Sequence, residues 1–427
     1  MQQISRRLFQ SPFLLYLCMH KRLIILICFL MPAIALYAQK DTLRMSFSVD
    51  GIVTDAQTGR VMESVLVSIP DESAATVTNA DGRFTLKSEK RFDKIRFSHI
   101  GYNTSEITVT DGSPLNIKLI PASLTLTGSV IISGDPYGIV RSAIAKIPEN
   151  YGTEATLLEC FYRETIRKRT RYTYISEAVA RIYKTGYDSG SWNDRAALDK
   201  SRVLLSQRRS DTLSVKVQGG PAQALYLDVV KNREIIFNDE DLVLYNFEMD
   251  QPTYIDGRVQ FVIRFSPATQ LTDKALYYGT MYIDRDRLSF TRIEMSMDMS
   301  DKERATRQIV VRKPFSLRFT PKEMSIVINY SQDGDVTRLS YFRSTFRFNC
   351  DWKKRLLVTN YTVVNELAVT GKHQPATPIS KSEAFKTSDI LSDKASEFMD
   401  PDFWMDYNII EPSESLEHAV NRLRKGH

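Results

Sequence analysis

Five histidines, four cysteines and a few Asp-Gly and Asp-x-Asp turns carry most of the latent chemistry in this 427-residue chain. A catalytic zinc needs three protein ligands, commonly His and Glu at fixed spacing, and one open position for water. His20, His99, His373, His418 and His427 form no HxxE or HExxH pair. His99, inside Phe97–Gly101, reads as a half-buried strand residue. There is no Gly-x-Ser-x-Gly elbow, no phosphate-cradling GxxxxGK[ST] and no dinucleotide GxGxxG. Without a His or a Cys–His pair to act as base, nucleophilic catalysis has no evident engine. A carboxylate dyad would be assembled in space and leaves no spacing to find. Asp81 and Asp284-Arg-Asp286 sit in turns of a kind that hold calcium outside cells, yet lack the dense Asp alternation of a dedicated loop. Both read as turn formers. No catalytic, cofactor-binding or metal-binding residue is assigned, and no enzyme activity is expected.

Two further groups have a bland and a functional reading. Cys160 and Cys350 are the cysteines outside the N-terminal leader (residues 1–38); they either pair in an oxidising compartment or remain buried thiols on strands. Phe403-Trp404 and Tyr407 either bind a partner or pack the tail onto the body of the protein.

The chain opens with an export signature. Lys21-Arg22 precedes the apolar run Leu23–Leu36, and Ala38 is a small residue at the expected cut, so residues 1–38 read as a signal peptide. Met19 begins a complete signal by itself. Cys28 lies within the apolar run with no small residue before it, which argues against lipidation. Residues 1–38 hold four basic residues and no acid, leaving 53 basic against 51 acidic residues. A chain this near neutrality lacks the basic stripe of a dedicated nucleic-acid binder. The expected location is the periplasm or the periplasmic side of the outer membrane.

Beyond the leader, period-two patterning dominates the chain. Gly51–Leu119 is a series of short alternating runs punctuated by Gly, Asp, Asn and Pro, the pattern of a small β-sandwich. Asp81-Gly82 between two β-branched runs predicts a hairpin turn. Leu124–Ile132 predicts one more strand. Ile139, Val140, Ala143, Ile144 and Ile147 share a helical face that Pro148 should end. Leu157–Glu164 and Thr173–Lys184 read as strands, and Pro221–Val230 as a short helix. From Tyr254 to Val369 come Gln260–Phe265, Ala275–Asp284, Leu288–Met299, Arg307–Leu317, Lys322–Tyr330, Thr337–Trp352 and Leu356–Val369, an antiparallel meander by its short connections. In Thr337–Trp352 the aromatics Phe342, Phe346 and Phe348 share one parity and Arg343 and Arg347 the other, as one buried face requires. Residues 371–381 are linker-like, and Leu416, Ala419, Val420 and Leu423 make the apolar face of a terminal helix expected to dock on the sheet.

The opening Gly51-x-Val-x-Asp55-x-x-Thr-Gly59, the Asn79-x-Asp81-Gly82-x-Phe84 turn and the Phe97-x-x-Ile100-Gly101-Tyr102 close resemble the carboxypeptidase regulatory-like domain. That resemblance implies a transthyretin-like (Ig-like) sandwich of seven or so strands, an accessory fold without chemistry of its own. Gly279-Thr-Met-Tyr-Ile283-Asp284 with Thr291–Met295 resembles the central hairpin of the lipoprotein-carrier half-barrel fold, which implies a curved sheet around an apolar concavity. Sandwich then half-barrel also resembles exported Bacteroidota envelope proteins, in which boxes like Ile147-Pro-Glu-Asn150-Tyr151, Phe161-Tyr-Arg-Glu164 and Phe403–Pro412 recur. The expectation is therefore a mainly β protein: sandwich at 46–121, antiparallel half-barrel-like sheet with a few helices at 135–370, linker and helical tail at 371–427. The implied partner is a lipid, a lipoprotein or an envelope protein, with peripheral outer-membrane association and no nucleic acid. The competing expectation is an outer-membrane transport accessory or small β-barrel tied to TonB-dependent uptake. Its spanning form is disfavoured by Arg292, Arg312 and Arg343, which interrupt the candidate lipid-facing bands.

Overall fold

The computed structural model describes residues 47–424 apart from short internal stretches, the longest being 110–113, 123–133, 353–357, 392–395 and 398–403. The signal peptide and the strand expected at Leu124–Ile132 lie outside the described residues. The protein is mainly β, with few helices.

Seven short strands build the sandwich: β1 (Phe47–Asp55), β2 (Leu66–Ser68), β3 (Ala75–Val77), β4 (Arg83–Ser88), β5 (Lys94–Ser98), β6 (Ser105–Thr108) and β7 (Leu115–Leu119). They form two sheets, ordered β4-β1-β7 and β3-β2-β5-β6, around Val53, Val67, Phe84, Leu86, Ile95, Phe97 and Leu119. The spacing of the opening motif has a mechanical cause. The Asp55 carboxylate accepts from the Gln57 and Thr58 backbone N–H groups at 2.8 and 2.7 Å and from the Tyr102 hydroxyl, so the two ends of the motif set meet. Tyr102, with the backbone of Thr58, holds the Asp55 carboxyl down at about 2, and Asp55 in turn pushes the Tyr102 hydroxyl up to about 12.

The turn at Asp81-Gly82 forms, but it joins no hairpin. β3 and β4 lie in different sheets, and the turn carries the chain between them. The Asn79 side chain accepts from the Asp81 and Arg83 N–H groups, and Gly82 has φ +72° with a Cβ position only 2.6 Å from the Val53 carbonyl oxygen. Local turn chemistry is the same for a hairpin and a crossover, which is why the sequence pattern did not separate them.

The second sheet has ten antiparallel strands plus one two-residue parallel strand. Its members are β8 (Thr156–Lys168), β9 (Arg171–Lys184), β10 (Arg195–Leu205), β12 (Tyr245–Ile255), β13 (Arg258–Pro267), β14 (Tyr277–Asp284), β15 (Phe290–Met297), β17 (Leu317–Asp333), β18 (Val336–Trp352), β19 (Thr359–His373) and β20 (Ser396–Glu397). The order is β12-β13-β14-β15-β17-β18-β19-β8-β9-β10-β20, and β11 (Lys216–Val217) pairs separately with β16 (Val310–Arg312). Edges β12 and β20 are not joined among the described residues, so the sheet is open and the small-barrel expectation does not hold. One face carries Ile293, Ile326, Ile328, Phe342, Phe346, Phe348, Val363 and Leu367. It is covered by the helices Pro136–Ala145, Ile147–Tyr151, Pro221–Leu227, Asp239–Leu242 and Lys302–Ile309 and the chain between them.

Two expectations fail for local reasons. Arg307–Leu317 is not one strand: Val310–Arg312 within it pairs with β11, and its start belongs to a helix. Asp301 caps a helix over Lys302–Ile309 by accepting from Glu303 and Arg304 N–H at 3.0 and 2.9 Å, and Ala305 and Ile309, four apart, bury its inner face. Pro148 does not end the helix of Ile139–Ile147. That helix stops at Ala145, and Pro148 occupies the first turn of the next, Ile147–Tyr151, where its missing N–H costs nothing. Strands β10 and β12 escaped the sequence reading. The blurred alternation of β9 also has a reason: Ala178 and Ile182 face the covered side while Ile175 and Val179 pack on the other, so both faces are buried.

Candidate functional site

Two polar features interrupt the apolar covered face, and the first is a row of side chains that crosses it. Ser344 on β18, Asn365 on β19, Glu164 on β8 and Ser176 on β9 are direct cross-strand neighbours. Asn365 Nδ2 donates to Ser344 Oγ at 3.0 Å and to Gln223 Oε1 at 2.9 Å, and Ser344 Oγ donates to the same Gln223 oxygen at 3.0 Å. Gln223 comes from the covering helix Pro221–Leu227, so the row ties the cover to the sheet. The Tyr162 hydroxyl lies 3.0 Å from Asn365 Oδ1 and 3.1 Å from Glu164 Oε2, and accepts from Gly220 N–H at 2.8 Å. A hydroxyl has one proton, so Tyr162 cannot serve both oxygens fully unless Glu164 is itself protonated.

Glu164 is the exposed member of this row. Ser344, Asn365, Ser176 and Tyr162 are fully buried, whereas Glu164 keeps partial contact with solvent. Burial pushes its carboxyl above the ordinary carboxylate range, opposed by the Tyr162 hydroxyl and the Gly220 N–H. No cation pairs with it among the described residues. The cover crosses it at Gly219-Gly220. A Cβ on Gly219 would stand 2.9 Å from Glu164 Oε2, and Gly220 has φ +79° with its Cβ position 2.4 Å from the Phe385 ring. The positive φ and the Phe385 ring restrict position 220 to glycine, while a Cβ at position 219 would press on the end of the Glu164 side chain.

A second cluster pins the other end of the same cover. Asp228, at the C-terminal end of that helix, accepts from Lys184 Nζ at 2.7 Å, Tyr330 OH at 2.6 Å and Tyr187 OH at 3.2 Å. Lys231 Nζ donates to the Thr185 and Gly186 carbonyl oxygens, and to that of Ser189 at 3.0 Å. Burial alone would push the Lys184 ammonium down, but Asp228 and Asp194 more than offset it and hold it above its ordinary value. Tyr151, from the box at 147–151, packs tilted against Tyr187 and edge-on to Tyr330, with centroids 4.9 and 5.5 Å away, and donates to the Phe290 carbonyl. The cluster is sealed and charge-paired, an anchor rather than a reactive centre.

The opposite face holds the sandwich and the tail. Phe161 and Arg163 point there while Tyr162 and Glu164 point to the covered side, which accounts for the alternation in the box Phe161–Glu164. Arg163 and Arg202 clamp Glu177 at 2.7 and 2.8 Å, and Arg163 also donates to the Ile410 carbonyl. Burial would raise the Glu177 carboxyl; the two guanidinium groups more than reverse that. Trp404 stands edge-on to Phe161, with the Arg202 guanidinium 4.8 Å from its ring centroid. From there the tail seals sandwich edges. Asn408 pairs with both backbone groups of Lys87 at 2.7 and 2.8 Å, Thr76 Oγ1 donates to the Ile409 carbonyl, and Asn79 donates to that of Pro412. The aromatic cluster of the tail is thus packing: Trp404 is buried and Tyr407 is half-buried, while Phe403 lies outside the described residues.

The remaining residues singled out in the sequence do not converge. His99 lies at the sandwich–sheet contact, edge-on to Tyr102, where burial pushes its imidazole pKa down. His373 is 3.5 Å from Glu159, and His418 is 3.5 Å from Glu414 on its own helix. Asp284 accepts from the Asp286 and Arg287 N–H groups, and Asp81 accepts from Glu414 N–H at the start of the terminal helix. No three of His, Cys, Asp or Glu converge on a metal-sized space among the described residues. Cys160 and Cys350 are buried free thiols. Their partners on β19 are Val369 and Thr359, about 33 Å apart at 3.3 Å per residue, far beyond disulfide reach. The polar row itself was not recognised in the sequence; its only trace was a strand box mixing Tyr, Arg and Glu.

Comparison with known proteins separates the two parts of the chain. Residues 49–131 match the CarboxypepD_reg-like domain. The matched stretch contains the Asp55–Tyr102 contact and the Asn79–Gly82 turn. Over 58% of the chain there is a likeness to a putative outer membrane lipoprotein-sorting protein domain from Vibrio parahaemolyticus, at 12% identity, 94% of that domain and a TM-score of 0.28. A DUF1329 family protein from Desulfovibrio piger is matched over 58% of this chain and 100% of its own, at 10% identity and a TM-score of 0.24. A LolA superfamily protein from Nitrosomonas europaea is matched over 59% and 99%, at 8% identity and a TM-score of 0.20. Overlaps this loose support no inference about function. No curated protein matches the chain. The CarboxypepD_reg-like resemblance is thus supported on its own residues, and the lipoprotein-carrier resemblance only as a distant likeness.

Proposed function

We propose that this is an exported, non-catalytic envelope protein whose large sheet takes an acyl-bearing ligand, a lipid or a lipoprotein, beneath its cover, with the sandwich as a docking module. The observation that carries the reading is the solvent contact of Glu164. In an otherwise sealed polar row it marks a break in the cover, at two adjacent glycines, directly above a wide apolar face. The cover is made of short pieces, helices of four to ten residues joined by irregular chain, rather than a continuous layer. Such pieces have few backbone hydrogen bonds of their own and open at lower cost than the strands below.

Among the described residues the expected concavity is filled: Ala224, Leu227, Val229, Val230 and Phe237 of the cover pack against the sheet. Ligand entry therefore requires the cover to move. An acyl chain would replace these side chains against the sheet at similar apolar area, roughly 25 cal/mol per Å² on each side of the exchange. Its polar head would meet Glu164 and Tyr162. Burial of apolar area and hydrogen bonding are the whole mechanism, and no bond is made or broken.

Mass spectrometry of protein purified from its native envelope, paired with titration by a fluorescent fatty acid, tests the reading. Co-purified acyl lipid and saturable probe uptake, weakened in Glu164→Leu, are expected. A cooperatively folded protein that carries no lipid and takes up no probe overturns it.

A further inference from the structure

Antiparallel register fixes which turns share an end of the large sheet. Leu317 faces Trp352, Cys350 faces Thr359, Tyr361 faces Lys168, Lys168 faces Arg171, and Tyr174 faces Leu205. The starts of β17, β19 and β9 and the finishes of β18, β8 and β10 therefore lie along one side. At about 4.8 Å between strands this side is about 24 Å wide.

Its charge is lopsided. In the β8–β9 turn stand Arg167, Lys168, Arg169 and Arg171; Arg208 follows β10; Arg312, Lys313 and Arg318 surround the entry to β17. Among the described residues the acids in these turns are Asp211, which pairs with Lys168 and Arg171, and Asp351, which lies across from Arg318; Asp298, Asp301 and Glu303 stand earlier in the segment that leads to Arg312, interspersed with Lys302, Arg304 and Arg307. Arg167, Arg169, Arg208, Arg312, Lys313 and Arg318 form no ion pair among the described residues. In a chain that is close to neutral outside its leader, these charges are concentrated rather than typical. The patch is bounded. Toward β12–β14 the same end carries Asp239, Glu240, Asp241 and Asp273 against Lys274. Apolar side chains are interleaved with the cations: Phe315 is 97% exposed, and Val311, Val358 and Leu205 are 47, 46 and 44% exposed.

We propose that this basic, apolar-studded edge is a membrane-docking surface that seats the protein on an anionic lipid bilayer. Charge alone would suit any polyanion. The interleaved Phe, Val and Leu decide for the bilayer, because they can enter the acyl boundary while Arg and Lys meet lipid phosphates. Duplex DNA or an acidic protein would leave Phe315 in water. The inference goes beyond the ligand-binding reading and stands without it, since the surface lies at a strand end and not under the cover. Docking would place the sheet's strands end-on to the membrane, with the sandwich, which meets the Tyr254–Asp256 turn at the other end of the strands, held away from it.

The test is co-sedimentation of the full purified chain with vesicles of phosphatidylcholine, with and without phosphatidylglycerol. Binding to the anionic vesicles alone, weakening as salt rises, is expected. Arg208→Glu, Arg312→Glu and Lys313→Glu together should lower partitioning by at least about a hundredfold. Phe315→Ser should lower it by about tenfold. A matched reversal at Arg264 and Arg285, away from this edge, should leave it unchanged. Three results overturn the proposal: equal binding to neutral vesicles, no loss on the triple reversal, or competition by duplex DNA with no effect of Phe315→Ser. Lipid content and vesicle binding are separate readouts, so failure of one reading leaves the other standing.

Discussion

Replacing Asp228 by Asn is the sharpest probe of how the cover is held. The carboxylate sits at 0% exposure between Lys184 Nζ at 2.7 Å, Tyr330 OH at 2.6 Å and Tyr187 OH at 3.2 Å. Asparagine keeps the shape and one acceptor oxygen but removes the charge. Lys184 then remains buried with only Asp194, at 3.7 Å, as counter-charge. Removing one member of a buried pair costs about 3–5 kcal/mol, because the other charge is left desolvated. At about 2.1 cal/mol/K per residue, that is a fall in melting temperature of roughly 4–6 °C for a protein of this size. Lys184→Met in the Asp228→Asn background removes the stranded charge, so the double variant should lie closer to wild type than Asp228→Asn alone, with coupling of about 1–3 kcal/mol. Urea unfolding followed by tryptophan emission, with melting by calorimetry, reads all four corners of the cycle. The pH dependence has a definite sign. Because Lys184 is held above its ordinary value, its contribution is full below pH 10.5 and is lost only as pH rises through the folded-state value. Additive losses in the double variant would refute the ion pair as the anchor.

Three other outcomes are expected from the same geometry. Trp404→Ala removes a buried ring wedged between Phe161 and Arg202, and should cost about 3–5 kcal/mol and open the tail to proteolysis near residue 404 before the sheet unfolds; protection equal to wild type would deny the tail its clamping role. Gly219→Ala forces a methyl to 2.9 Å from Glu164 Oε2 and should destabilise by about 1–3 kcal/mol while raising the exchange of amides 219–227 with deuterium. The Asp55–Tyr102 contact should stabilise the sandwich at neutral pH and weaken at both extremes. Since Asp55 titrates at about 2 when folded, its share fades as pH falls below 3.8; since Tyr102 titrates at about 12, the other share fades as pH rises past 10. Asp55→Asn should flatten both limbs in a melting series across pH, and unchanged limbs would refute the assignment.

The legible part of this protein was local. Alternating parity in β18 placed Phe342, Phe346 and Phe348 on one side and Arg343 and Arg347 on the other, and the structure keeps that division. Asp55-x-x-Thr-Gly59 and Asn79-x-Asp81-Gly82 announced turns whose hydrogen bonds run within four residues, so their pattern survives in one dimension. Reading failed where two signals of different range competed. At Arg307–Ile309 the end of a capped helix overlapped the start of the run Arg307–Leu317 read as a strand, and in β9 burial on both faces erased the period. Nothing in the neighbourhood of Glu164 predicts Asn365 or Ser344, because those contacts span 180 to 201 residues and depend on strand order.

By itself, then, the sequence determined that strands dominate, that Phe47–Leu119 folds as a sandwich, and that no conventional catalytic motif is written into the chain. Strand period and turn chemistry depend on neighbours a few residues away, and a linear string carries such information whole. Which strands lie side by side, which of two buried faces receives a cover, and whether a carboxyl keeps a path to water were decided only by the tertiary structure. Those outcomes turn on burial and dielectric at positions brought together from far along the chain, and no local pattern encodes the distance between Glu164 and Gly219 or the gathering of cations at one end of a sheet.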